Sequence, residues 1–531
     1  MKGVIIRLLE LLLGVAIGVL LTLLVLRLND ERSIRNARYG DWRKLNLILD
    51  EVEKNYVDTI NVEDMTDAAV SAALAQLDPH SIYMPPVQLA ASETELAGNF
   101  EGIGIQFNVP NDTAIVLEVI SGGPAEKAGM QPGDRLLKVD SINIAGVKYP
   151  QDSMVRRMKG PAGSKVTVTV GREGEVIPFR ITRGKIPVHS IDAHFMINDT
   201  TGYLRLSKFS RTTYDEFITA AADLLSQGMT RLVFDLRDNT GGYLDQAFRL
   251  GNEFLPRGAT VVYMEGLHRK REDFRADGTG VLQGIGLTVL INENSASSSE
   301  IFAGAIQDND RGVIVGRRSF GKGLVQEPIY FTDGSGVRLT VARFYTPSGR
   351  CIQKPYGDDY DYDIYKRYAD GEVFSVDSIK VNVEDRHTTV GGRTVYGGGG
   401  IVPDIFVPVD TTRASSFFIQ CNKKATQMRF ASAMFDRYRN ELLSLNDYPS
   451  IDRFLKRIDV GRQFREFAAS RDGIVPAKGE WEETESYLLP QLNALVARYS
   501  KLGDNAFYKY YLPVDETVGI AVASPSTVTN F

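Results

Sequence analysis

Cysteine and histidine are scarce in this chain: Cys351 and Cys421 are the two cysteines, and five histidines stand among 531 residues. Two cysteines cannot build a disulfide framework or a four-cysteine zinc site. His80, His189, His194, His268 and His387 show no His-x-x-x-His spacing, so no metal centre of that kind, and no cofactor, is expected. Positive charge is not in excess either. The 61 Lys+Arg against 67 Asp+Glu leave −6, which gives no global attraction to nucleic acid. No internal repeat stands out. With 43% hydrophobic and 24% charged residues the composition is that of an ordinary globular protein. At roughly 150 residues per domain, the length suggests three or four domains. Any chemistry must come from serine, lysine, carboxylates or backbone groups.

What is present begins with an apolar run. Leu11–Leu26 carries no charge and would make roughly 24 Å of helix, somewhat short of a ~30 Å hydrocarbon core. Extension back to Val4 takes in Arg7 and Glu10, which lie on one helical face and can pair or snorkel. No small-x-small cleavage pattern follows, and no cysteine that would carry a lipid. A retained single-span anchor over residues 1–30 is expected. Orientation is contradictory: Lys2 and Arg7 precede the run, whereas Arg27, Arg32, Arg35, Arg38 and Arg43 follow it. Counted literally, the positive-inside rule places the bulk of the chain in the cytoplasm.

Beyond the anchor the texture changes four times. Residues 31–97 read as a helical N-terminal region, with Leu45, Leu47, Ile48, Val52 and Tyr56 at mostly three-to-four spacing and a break at Asp78-Pro79-His80. Residues 98–185 change to short strands punctuated by glycine. Residues 186–410 alternate strands and helices, with buried-strand runs at Arg231–Leu236, Gly286–Ile291 and Gly312–Gly316, which argues for an α/β domain with a largely parallel sheet. Within it, Tyr356–Tyr368 and Gly397–Gly400 read as loops. Residues 411–531 read as a charged helical domain for interaction or shielding.

Two stretches carry more than fold. In the first, Gly102-Ile103-Gly104-Ile105 opens a strand, and a Gly-x-Gly turn leaves backbone N–H groups free to converge on an anion. Gly122-Gly123-Pro124-Ala125, Ala128-Gly129, Pro132-Gly133-Asp134, a helix-like Val155–Met158 and the alternating strand Lys165–Val170 follow in order. This order resembles a PDZ domain. The resemblance implies capture of an extended peptide by strand addition, with its C-terminal carboxylate on the N–H groups of the Gly102–Ile105 loop.

The second stretch is Asn294-Ser295-Ala296-Ser297-Ser298-Ser299-Glu300, expected where a strand ends and a helix begins. Read alone, Ser297 with Glu300 is a capping box. Such a turn is also where a nucleophile stands exposed beside free N–H groups and a positive helix end. Ser319-Phe320-Gly321-Lys322-Gly323-Leu324-Val325-Gln326 is not a P-loop, because glycine follows the lysine. Leu236-Arg237-Asp238-Asn239-Thr240-Gly241-Gly242 ends a strand with paired glycines that allow close backbone approach to a ligand.

Together these segments resemble the C-terminal processing peptidases, the S41 family of serine proteases with a Ser–Lys dyad. Leu77–Ser81, Arg343–Arg350 and Gly400–Asp404 match as well, so the resemblance covers roughly residues 40–410. Ser298 stands where the family has alanine, Thr240 where it has Pro or Gly, and Ser319 where it has Thr. The resemblance implies a multi-domain chain with a ClpP/crotonase-like peptidase core. It implies Ser297 as nucleophile and Lys322 as general base, oriented by Gln326. The N–H groups of Gly241 or Gly242 and of Ser298 would form the oxyanion hole. It further implies proteins with exposed C-termini as substrates, a catalytic part outside the cytoplasmic membrane (which outweighs the charge count), and room for a homo-oligomer or regulatory adaptor. Two rivals are a membrane-tethered PDZ adaptor without activity, against which the intact Ser297–Lys322–Gln326 set argues, and a crotonase-type acyl-CoA enzyme, in which a PDZ module and a span have no place.

Overall fold

The computed structural model describes residues 18, 21–22, 43–110, 112–357, 359–411 and 415–525. It divides into two units, Met1–Leu77 and Asp78–Phe531. The expected membrane span falls outside the described residues apart from Gly18, Leu21 and Thr22. Among the described residues no helix is long and apolar enough to cross a membrane.

The smaller unit contributes α1 (Arg43–Asn55) and α2 (Val62–Leu74). The side chain of Asn61 caps α2, its Oδ1 accepting the N–H groups of Glu63 and Asp64. Leu45, Leu47 and Ile48 of α1 are exposed.

The larger unit begins at the Asp78-Pro79-His80 break. Here the expected helical region is corrected: β1 (Ile82–Met84) follows the break as a strand, and α3 (Pro86–Leu96) resumes the helix. Next, β2 (Asn99–Gly102) leads into a six-stranded antiparallel sheet. Its elements are β3 (Ile105–Asn108), β4 (Ala114–Val119), α4 (Pro124–Ala128), β5 (Arg135–Val139), β6 (Ile142–Asn143), α5 (Gln151–Met158), β7 (Lys165–Arg172) and β8 (Glu175–Thr182). In β7, Val166, Val168 and Val170 point inward while Lys165, Thr167 and Thr169 point away, the period of two that a half-buried strand requires. They pack on Met154 and Met158 of α5. The spatial order β3-β4-β5-β7-β8 leaves β3 at a sheet edge. β9 (Gly184–Pro187) returns to pair with β2.

The second domain is built on β10 (Ile191–Met196), β11 (Thr201–Leu206), α6 (Thr213–Ser226), β12 (Arg231–Asp235), α7 (Leu244–Phe254), β13 (Thr260–Gly266), β14 (Arg269–Arg275), β15 (Gly286–Ile291), α8 (Ser298–Asp308), β16 (Val313–Gly316), β17 (Leu324–Tyr330) and β18 (Gly336–Tyr345). α9 (Asp363–Ala369), β19 (Arg386–Thr388), β20 (Thr394–Tyr396) and β21 (Ile405–Phe406) complete it. The central sheet has the order β10-β11-β12-β15-β16-β21, with only the β10–β11 pair antiparallel. A smaller antiparallel sheet, β1-β18-β13-β14, carries β17 on β18. The Tyr356–Tyr368 stretch read as a loop forms a 3-10 turn and then α9. α9 carries Arg367, which is buried and places its guanidinium on backbone carbonyls of residues 318–320.

The central strands bury both faces, so alternate residues need separate cover. Leu232, Phe234, Leu287, Val289 and Ile314 face α6, α7 and α8. Val233, Leu290, Val313 and Val315 face the other way and pack on Leu512, Val518 and Ala521. Those last three belong to the C-terminal region, which comprises α10 (Ser416–Lys423), α11 (Thr426–Leu442), α12 (Tyr448–Ile458), α13 (Val460–Phe467), α14 (Glu480–Ala497), α15 (Gly503–Tyr511) and α16 (Glu516–Ala523). It is helical, as its texture implies. Its end is nevertheless a layer of the α/β core rather than a separate shield.

α11 also grips the domain built on β3–β8. Arg135 pairs with Asp436 (2.5 Å), and Arg439 Nη1 donates to the Pro132 carbonyl (2.6 Å). Gly133 has φ +81°, and a Cβ there would sit 2.3 Å from the Phe435 ring. Gly174 has φ +88° with nothing within 4 Å. Gly174→Ala should therefore cost about the strain of a left-handed alanine alone, ~1 kcal/mol. Gly133→Ala adds the clash, a further 1–3 kcal/mol or so. Thermal melts of the two variants should rank them in that order.

Candidate active site

The serine turn sits between β15 and α8, which makes Ser297 the residue ahead of the helix. Its backbone lies at φ 55°, ψ −114°, a strained conformation for a residue with a Cβ. The four serines of the turn are not equivalent. Ser295 Oγ donates to the Leu236 carbonyl (2.8 Å), Ser298 Oγ to that of Gly242 (2.9 Å), and Ser299 Oγ to that of Asn239 (2.8 Å). All three are buried. Ser297 is half-buried, and its hydroxyl donates to no carbonyl among the described residues.

Glu300 does more than cap. Its Oε2 accepts the N–H of Ser297 (2.8 Å) and of Lys322 (2.9 Å). Its Oε1 accepts Ser319 Oγ (2.5 Å) and the Gly321 N–H (2.7 Å). One fully buried carboxylate thus joins the serine turn to the lysine segment. Burial pushes its pKa above the ordinary carboxylate value, while the four donors pull the other way. A further bond, Phe320 N–H to the Ser295 carbonyl (3.0 Å), closes the same seam.

Lys322 Nζ donates to Gln326 Oε1 at 3.0 Å. The Gln326 amide orientation follows from its other end, since Nε2 donates to the His80 carbonyl (2.5 Å). That carbonyl is held by a turn: Asp78 accepts the N–H groups of His80 and Ser81, the Ser81 hydroxyl, and Thr340 Oγ1 from β18. Ser297 and Lys322 are not hydrogen-bonded to each other in this structure; the lysine amine rests on Gln326. Burial lowers the Lys322 pKa from its ordinary value, and nearby Arg338 adds to this against Glu300 and Asp78. His80 is lowered to about 4 by burial first and Lys322 second, so it is neutral at pH 7.

The glycine loop abuts the serine. A Cβ at Gly241 would meet the Ala296 carbonyl at 2.7 Å, Ser297 Cβ at 2.8 Å and Ser298 N at 2.9 Å. Gly241 is removed from the expected oxyanion donors, because its N–H is taken by Asn239 Oδ1 (2.9 Å). The N–H groups of Gly242 and Ser298 donate to nothing among the described residues. In the loop ahead of β3 the carbonyls of Ile103 and Gly104 accept from Ala125 and Ile120, while their N–H groups donate to nothing among the described residues. Gly102 is committed to the β2–β9 pair, and Ile105 begins the edge strand β3.

Several supporting residues escape a reading of the sequence. Asn239, fully buried, fixes the glycine loop; its Nδ2 donates to the Leu206 carbonyl (2.9 Å). Arg367 donates to the carbonyls of Ser319 (2.7 Å) and Phe320 (3.1 Å) from a stretch with no motif. Glu300 was visible as the end of a Ser-x-x-Glu pattern, but that pattern predicts contact with its own helix start and nothing beyond.

Comparisons with known proteins identify the family. A profile of peptidase family S41 matches residues 200–364, and a PDZ profile matches residues 102–182. The chain is 36% identical over 335 residues to the carboxy-terminal-processing protease of Bartonella bacilliformis, a match covering 61% of this chain and 74% of the relative. It is 30% identical over 322 residues to a CtpA-like serine protease of Staphylococcus saprophyticus, covering 60% of this chain and 65% of the relative's length. Among solved structures, the photosystem II D1 C-terminal processing protease is 27% identical, covering 70% of this chain and 88% of that one, with a TM-score of 0.39.

Replacing Glu300 by glutamine should place an amide NH2 against two of the four donors. The expected loss is about 2–4 kcal/mol of stability, read as a lower melting temperature. Peptide cleavage should fall more than tenfold in the fraction that remains folded.

Proposed function

The chain belongs to peptidase family S41, the carboxy-terminal-processing serine endopeptidases, and on that premise we propose that Ser297 is its nucleophile and Lys322 its general base. The observation that carries this reading is the inequality of the four serines: three hydroxyls are tied to carbonyls, and the fourth stands half-exposed on a strained turn beside the glycine loop. Ser297 Oγ attacks the peptide carbonyl while Lys322 takes the hydroxyl proton; the C–N bond then breaks as Lys322 returns that proton to the leaving amine, and water, giving its proton to Lys322, hydrolyses the acyl-enzyme and restores the Ser297 hydroxyl. At its unperturbed pKa of about 10.4 only about one lysine in 2,500 is neutral at pH 7. Burial raises that fraction, and Gln326 holds the amine with an uncharged acceptor. Nζ moves from Gln326 toward Ser297 when substrate arrives, as catalytic hydrogen bonds often tighten only in the complex. The oxyanion rests on the N–H groups of Gly242 and Ser298.

Substrates are proteins with exposed C-termini, cut near or at that end. A C-terminal strand adds to the β3 edge, with its carboxylate on the N–H groups of Ile103 and Gly104, one residue pair within the Gly102–Ile105 loop. The apolar run Leu11–Leu26 anchors the protein in the cytoplasmic membrane, and the catalytic part faces the periplasmic side. Protease shaving of spheroplasts tests the last point: degradation of the C-terminal part is expected, and protection until the membrane is broken would reverse the orientation.

Ser297→Ala should abolish cleavage of a casein or tagged-peptide substrate with a stability change of no more than about 2 kcal/mol. Full activity in that variant would sink the nucleophile assignment. Because the Lys322 pKa is lowered, the rate should rise with pH through an apparent pKa below that of free lysine and then level off. Lys322→Arg should be inactive, since guanidinium stays protonated. Gln326→Ala should lose less than Lys322→Ala.

A further inference from the structure

The glycine loop leaves the central sheet through Asp235 and Arg237, and charge holds that exit. Asp235 is fully buried. It accepts Tyr203 OH (2.7 Å), Arg205 Nη1 (3.1 Å) and a bidentate pair from Arg237, Nε at 2.9 Å and Nη2 at 2.6 Å. Burial alone would raise its pKa; Arg237 and then Arg205 overcome that and hold the carboxyl far below its ordinary range. Two guanidinium groups, each largely buried, thus meet one fully buried carboxylate. A second carboxylate reaches Arg237 from the far end of the chain: Asp515 Oδ1 lies 3.0 Å from Nη1, and Oδ2 lies 2.8 Å from Nη2. Its side chain is 9% exposed.

On the other side of Arg237 the chain runs straight into the candidate active site. The Arg237 carbonyl accepts Arg205 Nη2 (3.2 Å). Asp238 follows in the left-handed region, φ 62°. Its Oδ1 accepts Asn292 Nδ2 (2.7 Å) and Asn294 Nδ2 (3.0 Å), and its N–H donates to Asn292 Oδ1 (2.9 Å). Asn292 and Asn294 lead into the turn that carries Ser297. The path from Asp515 therefore runs by hydrogen bonds to Arg237, along one peptide bond to Asp238, and by hydrogen bonds again to Asn292 and Asn294 ahead of Ser297, while the Gly241-Gly242 loop follows Asp238 along the chain.

We infer that Asp515 is a positioning residue for the peptidase reaction: the C-terminal segment, outside the family-matched residues 200–364, completes the active site by fixing Arg237 and with it the oxyanion loop. The inference rests on the assignment of Ser297 and the Gly242 N–H above. Asp515 also caps α16, its Oδ1 accepting the Val518 N–H (3.2 Å), and that role must be separated from the ionic one. Asparagine caps a helix as well as aspartate does, so Asp515→Asn keeps the cap and removes the charge.

The test uses the full chain and a fluorogenic peptide with an apolar C-terminus. Asp515→Asn should lower kcat roughly tenfold with KM within about twofold, and a melting temperature within a few degrees of wild type. Asp515→Glu should recover much of the lost kcat. In an Arg237→Gln background, Asp515→Asn should add no further loss, because both act through one group. The inference is overturned if Asp515→Asn leaves kcat unchanged, if the two losses multiply, or if kcat per folded molecule is that of wild type. A wild-type chain that cleaves no better than Ser297→Ala would instead overturn the assignment beneath it.

Discussion

The Glu300 carboxylate is the constraint on which the candidate active site depends. A helix-capping glutamate ordinarily returns to one N–H at its own helix start. This one uses a single oxygen for the N–H groups of both Ser297 and Lys322, and its second oxygen for Ser319 and Gly321. Ser297 and Lys322 come from different elements, yet their backbones are fixed to the same atom. Burial opposes a charged carboxylate, and four short hydrogen bonds oppose its neutralisation. The strained backbone at Ser297 persists because Glu300, Asn239 and the Gly241 contact leave it no other arrangement.

A second constraint comes from the sheet. Strands such as Arg231–Asp235 are buried on both faces, and α6, α7 and α8 cover only one. The chain supplies the other layer from its last described helix, α16, and the adjoining Leu512. That layer carries Asp515 to the exit of the glycine loop. The same C-terminal region reaches the PDZ domain through Arg135–Asp436 and the Gly133–Phe435 contact. One region therefore touches both the PDZ domain and the peptidase core.

Much of this was legible in the residues. Buried runs placed the parallel strands, alternation placed the strand at Lys165–Arg172, and motif order identified the PDZ domain and the peptidase core. Of the candidate site, the serine turn and the glycine–lysine segment were legible as motifs. It was not legible where a contact joins residues far apart in the chain. Nothing local marks the Gly241 N–H as taken by Asn239, or Arg367 as buried beneath the lysine segment. Asp515 reads as an ordinary helix cap, and its partner Arg237 lies 278 residues away. Helical texture after residue 410 likewise says nothing of which sheet face the helices cover.

The most direct test of the account is to map where an active-site-directed phosphonate binds. The intact protein would be treated with a fluorophosphonate, digested and sequenced by mass spectrometry, with the labelling rate followed against pH. A single adduct on Ser297 is predicted, forming faster as pH rises through the lowered Lys322 pKa and failing to form in Lys322→Ala. An adduct on Ser295 or Ser299, or labelling of Ser297 at a rate indifferent to Lys322, would contradict it.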